Sequence, residues 1–114
     1  MTGGAGFIGS NFIIRCLGST EYQILNIDKL TYSGNTENLS DIKSNYNFVC
    51  ADICDKHTIR ESINNFNPDI IINFAAESHV DRSIDNYSDF INTNILGTIN
   101  LLDLSLEYWK KNKN

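Results

Sequence analysis

A loop of the form T-G-x-x-G-x-x-G, with Gly3, Gly6 and Gly9 at three-residue spacing, occupies the first nine positions of the chain. Loops of this kind lead from a buried β-strand into a helix. Gly3 suits the tight turn, Gly6 a close approach of backbone to a ligand, and Gly9 close packing of helix on sheet. Residues 7–17 (FIGSNFIIRCL) read as that helix. Ile8, Phe12 and Leu17 lie on one face, Ile13 and Cys16 form a second row, and Gly18 ends it. The helix start presents backbone N–H groups and a positive dipole end, which together suit a pyrophosphate. Taken alone, the loop is equally an ordinary turn. Only Met1 stands where the preceding strand belongs.

The remaining chain alternates strand and helix patterns. Residues 22–27 (YQILNI) read as a strand closed by Asp28, and residues 47–50 (NFVC) as a second, short one. The polar stretch between them holds at most a helical turn near residues 38–42. Asp55 is placed to cap a helix over residues 56–66, and Pro68 separates that helix from the next segment. DIIINFAA is a continuous β-branched run, the pattern of a parallel strand buried on both faces. ESHVDRSIDN reads as a polar loop. A long helix over residues 88–109 carries Ile91, Ile95, Ile99, Leu102, Leu106 and Trp109 as its apolar stripe, widened by Phe90, Leu101, Leu104 and Tyr108. This order predicts an α/β fold: a Rossmann-like parallel sheet with flanking helices, its first strand and its C-terminal part missing. No repeat or domain boundary divides residues 1–114.

Charge and composition narrow the partners. A net charge of −5 and a pI near 4.8 leave no basic surface for nucleic acid or anionic lipid. No apolar run approaches the roughly 20 residues of a membrane span. Three cysteines without framework spacing fit a reducing cytoplasm. Cys50, Cys54 and His57 lack a familiar zinc spacing, so no metal site is expected.

Two carboxylates stand where a dinucleotide would use them. Asp28 ends the strand after the glycine loop, 19 residues past Gly9. A carboxylate there accepts from the hydroxyls of an adenosine ribose and repels a 2′-phosphate, which favours NAD over NADP. An aspartate after a strand is also a common turn residue, and neighbouring Lys29 moderates the repulsion. Asp52, in ADICD, can accept from an adenine amino group while Ile53 packs on the ring. It can equally start a helix.

TGGAGFIGSN, NIDKLTYSGN, ADICD, NFAAESHVDRS and NTNILGT, in this order, resemble the extended short-chain dehydrogenase/reductase family. Within that family the set is similar to the amino-terminal part of the nucleoside-diphosphate-glucose 4,6-dehydratases, best known with dTDP-glucose. The resemblance runs along nearly the whole chain. It implies that Phe7 and Ile8 line the pyrophosphate loop, beside Gly3, Gly6 and Gly9. Asp28, Lys29, Leu30 and Thr31 would hold the adenosine ribose, with Ser33 and Gly34 close by, and Asp52 and Ile53 would take adenine. Phe74, Ala75, Ala76, Glu77 and Ser78 would run under the cofactor, and Thr93 would approach it from the long helix. Ser78 would also face the sugar, with His79, Asp81 and Arg82 supporting the substrate pocket. Asn94 reads as structural, its amide holding neighbouring backbone, and Gly97 as permitting close packing.

The resemblance further implies a lyase reaction run as an internal redox cycle. NAD takes hydride from C4 of the glucose ring, water leaves across C5 and C6, and the hydride returns to C6. It also implies a homodimer of the complete enzyme. The Tyr-x-x-x-Lys pair and the Thr-Asp-Glu run that serve this chemistry do not occur in the 114 residues. No catalytic residue is therefore expected among them, and the chain is expected to be an inactive segment of a longer enzyme. An NAD-dependent sugar-nucleotide epimerase, another dehydratase, or a non-catalytic nucleotide-binding remnant are the alternatives.

Overall fold

The computed structural model describes residues 1–19, 21–31, 34–42 and 44–112. Its backbone falls into two compact units. One comprises Met1–Ala51 with Ile72–Phe74, the other Asp52–Ile71 with Ala75–Asn114.

The first unit is built around a parallel sheet. Strand β1 (Ile24–Asp28) pairs in parallel with β2 (Tyr46–Cys50), with Asn26 opposite Phe48. The Asn47 start expected for the second strand moves back by one residue. On the other edge of β1 the chain start does what a strand would do. Met1 O accepts from Ile27 N–H at 2.9 Å, and Gly3 N–H donates to Ile27 O at 2.9 Å. Thr2 in turn donates to Ile72 O and accepts from Phe74 N–H, each at 3.0 Å. Thr2 therefore bridges Ile27 on one side and Asn73 on the other, both in parallel. The spatial order is β2, β1, chain start, Ile72–Phe74. This is the 3-2-1-4 order of a dinucleotide fold, with Thr2 bridging in the central position. The chain start thus lies between β1 and Ile72–Phe74 at the level of Thr2.

DIIINFAA forms a single bridge at Asn73 instead of a long strand, and Ile70 is exposed. Helix α1 (Phe7–Ser19) runs through Gly18 rather than stopping there. It buries Ile13 with Ile24 and Leu39, and Met1, Cys16, Leu17, Ile42 and Tyr46 pack around them. Ile8, on the helical face of Phe12 and Leu17, is exposed. A 3-10 turn at Thr36–Leu39 is capped by Asn35, whose side chain accepts from Glu37 N–H at 2.9 Å; it comes two residues earlier than the expected turn.

The second unit is helical. Helix α2 (Lys56–Phe66) begins at Asp55, which accepts from Thr58 N–H, and ends at Asn67 in the left-handed conformation. ESHVDRSIDN, expected as a loop, contains helix α3 (Val80–Asp85). The long helix is present but interrupted: α4 (Tyr87–Ile91), a π-helical stretch (Asn92–Gly97) and α5 (Thr98–Asn112) succeed one another without a break. Its packed side is not the expected one. Thr93, Gly97, Leu101, Leu104 and Tyr108 are buried, with Ile59 and Ile63 of α2 also in the core. The stripe from Ile91 to Trp109 is 41% to 65% exposed. Both sides of the helix are apolar, so periodicity alone could not choose between them. Arg60 reaches Glu107 with two hydrogen bonds, at 3.0 and 3.1 Å, and ties α2 to α5. Among the described residues, no helix is long and apolar enough to cross a membrane.

Candidate dinucleotide site

The glycine loop is held by β1, residue against residue. Gly3 N–H donates to the Ile27 carbonyl, Gly4 N–H to Asn26 Oδ1 at 2.9 Å, and Ala5 N–H to Asp28 Oδ2 at 2.9 Å. Three successive amides are thus fixed by three successive residues of one strand, two of them through side chains. The other oxygen of Asp28 accepts from Leu30 N–H at 2.8 Å. The Ala5 carbonyl accepts from Asn35 N–H at 2.9 Å, so the segment after β1 folds back over the loop. Gly34 closes this fold-back, its N–H donating to Thr31 O at 2.8 Å.

Each glycine has a different neighbourhood. Gly3 sits at φ 70°, in the left-handed region that favours glycine. A Cβ on Gly9 would collide with the Gly3 carbonyl and lie 2.7 Å from Gly4 Cα. Helix α1 therefore packs closely on the loop itself, where close packing on the sheet was expected. A Cβ on Gly4 would collide with the Asn26 carboxamide and with Ile13. A Cβ on Gly6 would meet only the Gly3 carbonyl, at an ordinary 3.5 Å. The protein's own packing thus does not require glycine at position 6, and the space beside it is open to a ligand. The first-turn amides of α1, at Phe7, Ile8 and Gly9, lack partners within the helix by geometry. Phe7 and Ile8 are the exposed side chains that flank this opening. An anionic group fits here, and so does the ribose end of a dinucleotide beside Asp28, a buried carboxylate already oriented by two amides.

Of the expected site residues in this unit, Gly3, Gly6, Gly9, Asp28, Leu30, Thr31 and Gly34 are gathered in one place. Lys29 lies half-buried between Asp28 and Leu30, and Leu30 adopts φ 56°. Ser33 lies outside the described residues. Phe74 turns its ring to Phe12 of α1, with centroids 5.4 Å apart. Asn26, Ala5 and Asn35 were not anticipated. The interior alternation of YQILNI hides Asn26, and its partner Gly4 lies 22 residues away in sequence.

The second unit holds the other candidates. Asp52 Oδ1 accepts from Cys54 N–H at 2.9 Å, an Asx turn that leads into α2. Ile53 is buried, and its side chain fills the space that a Cβ on Gly97 would need. Asn94 spans Glu77: its Oδ1 accepts from Glu77 N–H at 2.8 Å, and its Nδ2 donates to Glu77 O at 2.9 Å. Asn94 does hold neighbouring backbone, as its sequence context suggests. Thr93 beside it is buried. Ala75 and Glu77 are half-buried, whereas Ala76, Ser78 and His79 are exposed. Asp81 lies exposed in the first turn of α3, and the side chain of Arg82 is outside the described set.

Comparison with known proteins adds to this geometry. A family profile described as GDP-mannose 4,6 dehydratase matches residues 1–114. The chain is 50% identical over 111 residues to the dTDP-glucose 4,6-dehydratase of Salmonella typhimurium, an alignment covering 96% of this chain and 31% of that one. Among solved structures it is similar to DesIV, a dTDP-glucose 4,6-dehydratase from Streptomyces venezuelae crystallised with NAD. The TM-score is 0.87 and the identity 40%, over 94% of this chain and 35% of that one. The UDP-glucose 4-epimerase of Thermus thermophilus, also solved with NAD, has a TM-score of 0.83 and 30% identity over 94% of this chain and 33% of that one. The chain spans about a third of the length of the curated relatives it matches.

Proposed function

The chain belongs to the GDP-mannose 4,6 dehydratase family, and from that premise we propose that it is the NAD-binding segment of a dTDP-glucose 4,6-dehydratase. The observation that carries this reading is the 50% identity, spread along 96% of the chain, to an enzyme of that name. Identity to the epimerase structure is 30%, which favours dehydratase over epimerase. The enzyme carrying this segment would work in the cytoplasm, as a homodimer, on a nucleoside-diphosphate-glucose. Residues 1–114 would form part of its Rossmann domain.

Bound NAD would supply a hydride acceptor and donor for the sugar. The chain's own residues bind and orient. The first-turn amides of Phe7, Ile8 and Gly9 stabilise the pyrophosphate charge, and Gly6 keeps that approach open. Asp28 accepts from the adenosine ribose hydroxyls with lone pairs left by Ala5 and Leu30. Lys29, Leu30, Thr31, Ser33 and Gly34 complete the ribose surroundings. Asp52 would accept from the adenine amino group, with Ile53 beside the ring. Phe74, Ala75, Ala76, Glu77, Ser78 and Thr93 would line the nicotinamide half, and Asn94 holds Glu77 of that segment through two hydrogen bonds. Ser78, His79, Asp81 and Arg82 would face the sugar nucleotide.

Calorimetric titration of the purified chain with NAD and NADP tests the cofactor assignment. Saturable NAD binding, with NADP weaker, is the expected result; no binding of either would refute it. Formation of the 4-keto-6-deoxy sugar from dTDP-glucose by the longest product of the encoding locus tests the reaction.

A further inference from the structure

Asn26 is fully buried in the middle of β1, where an apolar side chain would be the ordinary occupant. A buried carboxamide is costly unless its hydrogen-bonding groups are satisfied. Here its Oδ1 accepts from Gly4 N–H at 2.9 Å, and its Nδ2 donates to Tyr46 Oη at 3.0 Å. The Gly4 donor fixes which way the amide faces, since only the oxygen can accept. Tyr46 then receives the NH2 group from β2, on the same face of the sheet, two residues before the residue opposite Asn26. Gly4 has no room for a side chain against this group. Asp28, two residues on and on the same face of β1, repeats the contact with the next amide, Ala5.

We propose that Asn26, braced by Tyr46, is a positioning residue that sets the glycine loop in its ligand-ready conformation before any dinucleotide arrives. The inference rests on the reading of the loop as an NAD site. A strand backbone can satisfy only one amide of a loop that turns away from it, which here is Gly3 bonding to Ile27 O. Side chains must reach the next two. Without the Asn26 acceptor, Gly4 N–H would be buried and unpaired, and the loop would relax away from β1. NAD would then have to reorder it on binding, which lowers affinity.

The test compares the unaltered chain with Asn26→Leu and Tyr46→Phe. It uses NAD titration, thermal melting and exchange of the Gly4 amide proton observed by NMR. Asn26→Leu is expected to bind NAD about tenfold to a hundredfold more weakly, with Gly4 exchange at least about tenfold faster. Tyr46→Phe keeps the Gly4 bond and loses only the brace, so a loss of roughly threefold is expected, at the weak end of hydrogen-bond values. A folded Asn26→Leu chain with unchanged NAD affinity overturns the proposal and leaves the NAD reading intact. If Asn26→Leu does not fold, Tyr46→Phe decides: unchanged affinity and unchanged Gly4 exchange overturn the proposal. An unaltered chain that does not bind NAD overturns both readings.

Discussion

Ala5 N–H donates to Asp28 Oδ2 at 2.9 Å, across 23 residues of sequence, so the carboxylate expected to read a ribose also holds the loop expected to hold phosphates. The two roles are compatible because each carboxylate oxygen has two acceptor directions. Ala5 and Leu30 use one direction on each oxygen. Among the described residues the remaining directions stay available, and their positions are set by the protein rather than by the ligand.

Asp28→Ala should weaken NAD by about 1–3 kcal/mol, the scale of lost charge-assisted hydrogen bonds. NADP should lose less or gain, because the repulsion of a 2′-phosphate disappears with the carboxylate. Titration with both cofactors checks this. Equal losses would mean that Asp28 serves only the amides of Ala5 and Leu30.

Gly6 and Gly9 should separate binding from folding. Gly9→Ala forces a methyl into the Gly3 carbonyl and Gly4 Cα, both backbone, so a loss of several kcal/mol in stability is expected, at the upper end of point-mutant effects. Gly6→Ala meets only one atom, at 3.5 Å, and should leave the melting temperature nearly unchanged. Its methyl would stand where the pyrophosphate approaches, so NAD affinity should fall by at least about tenfold, as for loss of a charge-assisted contact. Similar melting temperatures for the two variants would contradict this division.

Local signals in the sequence located most elements. Asp55 and Pro68 bracket α2 closely because a cap and a breaker act within one turn. Gly3, Gly6, Gly9 and Asp28 were legible through spacing. Three features escaped for physical reasons. The pairing of DIIINFAA at Asn73 is with Thr2, 71 residues away in sequence, which its own β-branched run does not encode. The buried side of α5 is chosen by where small Gly97 admits Ile53 and where Leu101, Leu104 and Tyr108 find a core, not by the longer Ile91–Trp109 stripe. The hydrogen bonds of Asn26 are non-local at both ends.

Asn94 should matter through Glu77 alone. Asn94→Ala leaves the N–H and C=O of Glu77 without their side-chain partner, at a cost of about 1–3 kcal/mol in stability. Asn94→Asp retains an acceptor for the N–H and loses the donor to the carbonyl, so its loss should be intermediate. Urea titration of the three chains gives the ranking; an Asp variant weaker than Ala would break it.

The α-ammonium of Met1 donates to Leu25 O at 2.7 Å, and burial lowers its pKa from 8.0 to about 6. The unfolded chain therefore binds a proton between pH 8 and pH 6 that the folded chain refuses. Stability should fall as pH drops through this window, by up to about 2–3 kcal/mol, and this contribution should be level below it. Urea midpoints at about pH 8.5, 7 and 5.5, which span the window, measure the slope. Acetylating the amine removes the titrating charge and keeps an N–H donor, so the slope over this window should flatten. A slope unaffected by acetylation would assign the effect to other groups.

The exposed stripe on the π-helical stretch and α5 predicts association. Ile95, Ile99, Leu102, Leu106 and Trp109 lie at helical spacing on one side, each about half or more exposed. Monomeric proteins rarely leave so continuous an apolar surface in water. A second copy offers the same stripe, and two identical helix faces can cover each other about a two-fold axis. Sedimentation equilibrium should therefore show a dimer or larger species at micromolar concentration. Leu102→Glu with Leu106→Lys should shift it towards monomer. Both side chains are solvent-facing, so the double variant should change the melting temperature of the monomer little. A chain that stays monomeric at every concentration, with or without these substitutions, would rule out self-association through this face.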